Sequence, residues 1–186
     1  MFAEHQPMIA KFAMQSETHF VRTAMFARLT VRRHLWEVPK FLDNDLYPSE
    51  VDAICAQALQ QNGAYLYLCA RKAEARKLFY EMALMPGFGF VKAGFVTQLV
   101  RGQYGCLDTH NQTLYKISRK DTRKDGGQKS FFSRADNYLA LCAEIGSSEA
   151  LWNTWCDYVA ALYPHRYENG NAVSHMHVTT IYGGGK

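Results

Sequence analysis

Apolar residues recur along much of this chain at three- and four-residue spacing, the repeat that one buried helix face imposes. Phe20, Val21, Ala24, Met25 and Leu29 form one such stripe, with Arg22 and Arg28 falling between its members. Ser49 opens an S-x-x-D capping pattern that ends at Asp52, and Ile54, Cys55, Ala58 and Leu59 follow on one face. Gly63 is then a natural stop. Ala75, Leu78, Phe79 and Met82 make the next stripe. Val91, Phe95, Val96, Leu99 and Val100 make another, which closes at Gly102. Tyr138, Leu141, Cys142 and Ile145 end at Gly146, and Leu151, Trp152, Trp155, Val159 and Leu162 end at Pro164.

Strand signals are few. Tyr65 to Leu68 reads equally as a short strand or a helix start, and the last segment, VSHMHVTTIYGGGK, alternates weakly before its glycines. The pattern predicts one compact all-α domain over residues 1–186, with about seven or eight helices and an irregular tail over 170–186.

Composition adds limits rather than detail. A chain of 186 residues with 48% hydrophobic and 20% charged positions can bury a real core. It has no run of about 18 apolar residues, so no membrane span is expected. The start, MFAEHQPMIAKF, lacks the basic-then-apolar order of a signal peptide, and an intracellular protein is expected. Five cysteines with no C-x-x-C pair argue against a disulfide framework, a zinc finger or an iron–sulfur cluster, and read as small buried hydrophobes. A net charge of +4 is compatible with nucleic acid without implying it. One segment concentrates that charge: over 116–134 lie Lys116, Arg119, Lys120, Arg123, Lys124, Lys129 and Arg134, opposed by Asp121 and Asp125. Gly126-Gly127 loosens its middle. It is either a solvated basic loop or a loop that meets phosphates.

Two of the stripes flank Pro86-Gly87-Phe88-Gly89, giving a helix–hairpin–helix over 71–101. Glycines at such a turn permit positive φ and the close approach of another backbone. The second helix starts directly after them, so its free N–H groups and positive dipole end form an anion site to which Lys92 could add a charge. The tetrapeptide alone is equally an ordinary turn between helices. Downstream, Asp108-Thr109-His110-Asn111 reads as an N-cap opening a helix.

Together these segments, residues 85–111, resemble the signature of the helix–hairpin–helix DNA glycosylase superfamily. There, L-P-G-V-G precedes a helix and a catalytic aspartate, often within V-D-T-H, begins a later one. The matching residues are Pro86, Gly87, Gly89 and Ala93, then Asp108, Thr109 and His110. The resemblance implies an all-α fold whose hairpin holds a DNA backbone while a cleft receives a flipped base, with Asp108 projecting into it and His110 beside it as a base or supporting group. Bifunctional members carry a lysine where this chain has Val91. Lys92 lies one residue on, about 100° round the helix, and the Schiff-base role is not carried over to it.

G-F-V-K-A-G-F followed by G-C-L-D-T-H-N is most similar to a bacteriophage branch of that superfamily, the amino acid:DNA transferases. The branch implies a substrate of double-stranded DNA containing a modified thymine, a 5-hydroxymethyluracil pyrophosphorylated by a DNA kinase, and a free amino acid as co-substrate. Pyrophosphate leaves and the amine takes its place, in the cytoplasm of the infected bacterial host. Asp108 would act as base, as electrostatic stabiliser, or as both. Lys92, Arg119, Lys120, Arg123 and Lys124 are the cations nearest in sequence for the pyrophosphate or DNA phosphates. No cofactor is read from the chain. A divalent or monovalent cation at the hairpin phosphate is compatible with the resemblance, but there is no metal-ligand cluster, since His175 and His177 lack a third partner. Phe131 and Phe132 could stack on bases, while Trp152 and Trp155 sit at core spacing and read as structural. A monofunctional glycosylase and a non-catalytic hairpin module remain the rival readings.

Overall fold

The computed structural model describes residues 1–30, 33–124 and 130–183. Among them are ten α-helices, one 3-10 turn at Leu35–Glu37 and no strand. In chain order the helices are α1 (Phe2–Ala13), α2 (Glu17–Leu29), α3 (Val38–Leu42), α4 (Glu50–Lys72) and α5 (Ala75–Leu84). They continue as α6 (Phe90–Arg101), α7 (Thr109–Leu114), α8 (Phe131–Ile145), α9 (Ser148–Leu162) and α10 (Gly170–Tyr182). The all-α expectation holds, and the five cysteines are free and buried. No described helix is long and apolar enough to cross a membrane.

Local chemistry sets most helix starts. Ser16, Ser49, Asp108, Ser130, Ser147 and Asn169 each turn a side-chain oxygen onto a backbone N–H of the first turn, satisfying donors that have no partner within the helix. The most enclosed helix is α6, buried continuously from Ala93 to Val100 and packed on α1, α2 and α5. Phe79 of α5 stacks on Tyr138 of α8 at 5.4 Å, and Phe90 meets the same ring at 5.9 Å. Such pairs add roughly 0.5–1.5 kcal/mol each beyond their buried area.

Three expectations are corrected. Gly63 does not stop a helix, because α4 runs through it and takes in Tyr65 to Leu68. A Cβ at Gly63 would lie 2.6 Å from Glu17 Oε1 and 3.0 Å from Val21 Cγ2, so the glycine lets α2 cross close by. The tail over 170–186 is not irregular, since α10 occupies most of it. Asn169 caps α10, Val173, His177, Val178 and Ile181 are its buried face, and Arg22 of α2 donates to the carbonyls of Ile181 and Thr180 at its end. The basic segment is not one loop, because Phe131 to Arg134 form the first turn of α8 behind the Ser130 cap. Asp125, Gly126, Gly127 and Lys129 lie outside the described residues, as do Gly184, Gly185 and Lys186.

Candidate functional site

The hairpin joins α5 to α6 through Met85–Gly89. Gly87 has φ +75°, a left-handed conformation that side chains disfavour. A Cβ there would stand 3.2 Å from Cys55 Cβ and 3.3 Å from Arg28 Nε, so the bare Cα packs inward. Gly89 is extended, and a Cβ added to it would meet nothing within 4 Å. Pro86 is exposed, whereas Phe88, expected with it as a DNA contact, is buried.

The chain leaves α6 at Gly102 and crosses to Asp108 through a short segment held almost entirely by side chains. The buried Tyr138 hydroxyl donates to the Gly105 carbonyl (2.8 Å) and accepts from the Leu107 N–H (3.0 Å). Asn111 Nδ2 donates to the Cys106 carbonyl and Gln112 Nε2 to the Leu107 carbonyl, both at 2.7 Å. Gly94 and Gly105 make room, since a Cβ on Gly94 would come within 2.4 Å of the Gly105 oxygen. Asp108 therefore emerges from a rigid mount.

Its carboxylate does two things. Oδ1 accepts from the N–H groups of His110 and Asn111, both at 3.1 Å, and caps α7. Oδ2 accepts from Trp155 Nε1 at 3.0 Å. Trp155, expected as core, is partly exposed and steers the carboxylate. Trp152 keeps the structural part, buried with its Nε1 donating to Ser174 Oγ at 2.9 Å.

Asp108 lies on the wall of a cavity of about 580 Å³ that also touches Gly87, Val91, Lys92, His110 and His177, a volume typical of small-molecule sites. The offset between Val91 and Lys92 does not take the lysine away from it, because both line it. Lys92 Nζ donates to Thr30 Oγ1 at 3.0 Å and sits 5.4 Å from the centre of the Phe95 ring. It therefore belongs to the cavity rather than to the outer face of the hairpin. Of the basic segment, Arg119 and Arg123 reach the cavity, whereas Lys120 and Lys124 do not line it. Thr122, buried and paired with Gln112 Nε2 (3.1 Å), folds that stretch onto α7. Lys124 donates to the Ala83 carbonyl near the end of α5. Phe131 packs on Phe90 at 5.5 Å, Phe132 is exposed, and neither lines the cavity.

Several lining residues were not among the expected site residues, and four of them bear on the chemistry. Arg28 and Arg33 form the wall below the hairpin, and both pair with the fully buried Asp52 of α4. Arg28 sits between stripe positions of α2, where it reads as solvated filler. His177 and Trp155 complete an aromatic side, their rings 5.5 Å apart. His175 and His177 are on a helix, not on one strand face. His177 is buried with Nδ1 donating to the Val173 carbonyl, so its Nε2 is left as an acceptor, while His175 is exposed. Burial pulls the His177 pKa down from 6.5 to about 4 and keeps the ring neutral. Cys106, also on the wall, is pushed up to about 12 by burial and stays a thiol. Among the described residues no group of three His, Cys, Asp or Glu side chains could hold a metal ion.

Of the charged side chains among the described residues that line the cavity, Arg28, Arg33, Lys92, Arg119 and Arg123 are cations and Asp108 is the sole carboxylate. The arrangement can hold an anion on one side and stack a planar ring on the other, with a carboxylate between them. Comparison of the chain with protein-family models, with curated proteins and with solved structures returns no match.

Proposed function

We propose that the protein is an amino acid:DNA transferase acting on double-stranded DNA that contains 5-pyrophosphoryloxymethyl-uracil. The flipped base occupies the cavity, with its ring toward Trp155 and His177 and its diphosphate toward the cations. The amine lone pair of the amino acid forms the new C–N bond at the 5-methylene. The C–O bond breaks and its electron pair leaves on pyrophosphate, while the amine gives up a proton to Asp108 and then to solvent. Asp108 also opposes positive charge that develops on the methylene. His110, next to it on α7, supports the same carboxylate. The hairpin grips the DNA backbone outside, through the N–H groups at the start of α6. The reaction would run in the cytoplasm of an infected bacterial host, after a hydroxymethyluracil DNA kinase has made the substrate.

The observation that carries this reading is one carboxylate, fixed by Trp155 and by its own helix, set in a cavity whose other charged side chains, among the described residues, are all cations. Release of a neutral base by a glycosylase needs the carboxylate but leaves those cations only the phosphates that flank the flipped nucleotide, with no anion inside the cavity itself. A module that only clamps DNA needs no cavity. The test incubates the protein with DNA carrying pyrophosphorylated hydroxymethyluracil and a mixture of amino acids. Nucleoside mass spectrometry should find an adduct joined through the amino acid's amine, with one pyrophosphate released per adduct. Abasic sites in place of the adduct would establish the glycosylase instead.

A further inference from the structure

We infer that Arg28 and Arg33, with Lys92, form a built subsite for a diphosphate group inside the cavity, separate from any DNA phosphate held at the hairpin. The starting point is Asp52, fully buried on α4. A buried carboxylate needs a close cation to offset lost hydration. Asp52 has two: Arg28 Nη2 lies 3.0 Å from Oδ1 and Arg33 Nη2 lies 2.8 Å from Oδ2, where the Ser49 hydroxyl also donates at 2.6 Å. One guanidinium would balance the charge, so the pair leaves a surplus positive charge on the wall.

The remaining donors fit an oxyanion. Each arginine meets Asp52 through one nitrogen, and Arg33 Nη1 donates to the Leu29 carbonyl at 3.1 Å. Arg28 Nε is buried with no hydrogen-bond partner among the described residues. Lys92 gives one of its three N–H groups to Thr30 and keeps its charge on the same wall. Planar guanidinium forks match phosphate oxygens bidentately, and two forks beside a lysine suit the higher charge and extra oxygens of a diphosphate over a single sulfate. Asp52 fixes where the forks point, and Gly87 packs beside Arg28 so closely that a Cβ would stand 3.3 Å from its Nε. Asp52 is thus a positioning residue for the arginines.

The binding of a diphosphate rests on this geometry alone, while its identity as the leaving group of the reaction rests on the transferase reading above. Titration calorimetry of the whole protein with inorganic pyrophosphate, in EDTA and without DNA, tests the subsite. Pyrophosphate should bind more tightly than sulfate. Arg33→Gln should weaken it about tenfold to a hundredfold, the loss expected for charge-assisted hydrogen bonds. Arg33→Lys, which keeps the charge beside Asp52 but loses the fork, should fall between. Arg76→Gln, on an exposed cation of α5 paired with Asp136, should bind as wild type does. Thermal melts identify any variant that fails to fold, and Arg33→Lys then carries the test. Equal affinity for pyrophosphate and sulfate, or folded Arg33 variants that bind as wild type does, would overturn the subsite. Competition separates the sources: free pyrophosphate should displace DNA bearing the modified base from wild type and much less from Arg33→Lys. Pyrophosphate binding without any adduct would sink the transferase reading and leave the subsite standing. Adduct formation with no Arg33 dependence would do the reverse.

Discussion

Asp108 combines a helix cap and a cavity-facing carboxylate, and a pair of substitutions separates the two. Asp108→Asn keeps an oxygen for the N–H groups of His110 and Asn111, since asparagine caps about as well as aspartate. Its amide then faces Trp155 Nε1, donor against donor, where Oδ2 accepts at 3.0 Å. Loss of that bond should lower stability by about 1–2 kcal/mol. Asp108→Ala loses the cap as well, for about 1–3 kcal/mol in all. For a chain of this size each kcal/mol lowers Tm by roughly 2–4 °C, so both variants should fold at 25 °C. Turnover should behave differently. Each variant removes the only carboxylate that the described residues place on the cavity wall, and adduct formation should fall at least 100-fold in both. DNA affinity should hold or rise, because a negative charge has gone. The assay is single-turnover adduct formation by mass spectrometry alongside fluorescence anisotropy and a melt. If Asp108→Asn forms adduct within threefold of wild type, Asp108 is a cap and the chemistry lies elsewhere.

Tyr138→Phe should leave the Gly105 carbonyl and Leu107 N–H without their partner, lowering stability by about 2–4 kcal/mol. It should also reduce kcat more than it changes KM for DNA, and a folded variant with wild-type kcat would show that the mount does not position Asp108. Gly89→Val should cost no more than about 1 kcal/mol, because a Cβ there meets nothing within 4 Å although valine is a poorer N-cap for α6 than glycine. It should nevertheless bind DNA about tenfold more weakly whatever the sequence. Equal DNA binding would remove the hairpin grip. His177 is depressed from 6.5 to about 4, so the unfolded chain takes up its proton first as the pH falls. Its contribution is whole above about pH 6.5 and is lost toward pH 4, by about 3 kcal/mol at most. His5, also lowered by burial, acts in the same direction. Urea unfolding should therefore show a shallower pH slope for His177→Gln than for wild type over pH 4–6.5, and parallel slopes would refute the assignment.

The sequence was legible where local spacing decides the outcome. Apolar stripes marked α2, α4, α5, α6, α8 and α9, and D-T-H-N marked the start of α7, because caps and faces are properties of four to eight consecutive residues. What was hidden depends on distant partners. The α10 helix is fixed by Asn169 at one end and by Arg22 of α2 at the other, and a weak alternation of histidine and apolar residues masked its helical face. Trp155 sits at core spacing on α9, yet its indole reaches Asp108, 47 positions away in the chain. Arg28 and Arg33 look like solvated positions until Asp52, from the next long helix, is set between them.

The hairpin glycines show how a short motif can combine unlike demands. Gly87 needs its bare Cα for reasons inside the molecule: φ +75°, and Arg28 Nε lying where a side chain would go. Gly89 has neither constraint, since its backbone is extended and the space before it is open. The fold therefore demands the first glycine, whereas at the second position glycine is only one of several residues that would cap α6. An unfilled space at the N-terminus of α6 is what a close-approaching phosphate backbone would require. Gly87, by contrast, ties the hairpin to the arginine pair, so a DNA backbone pressing on the turn would press on the wall of the cavity as well. On the transferase reading, grip and chemistry are then coupled through one packed contact, Gly87 on Arg28. That coupling gives the two glycines different roles within one turn.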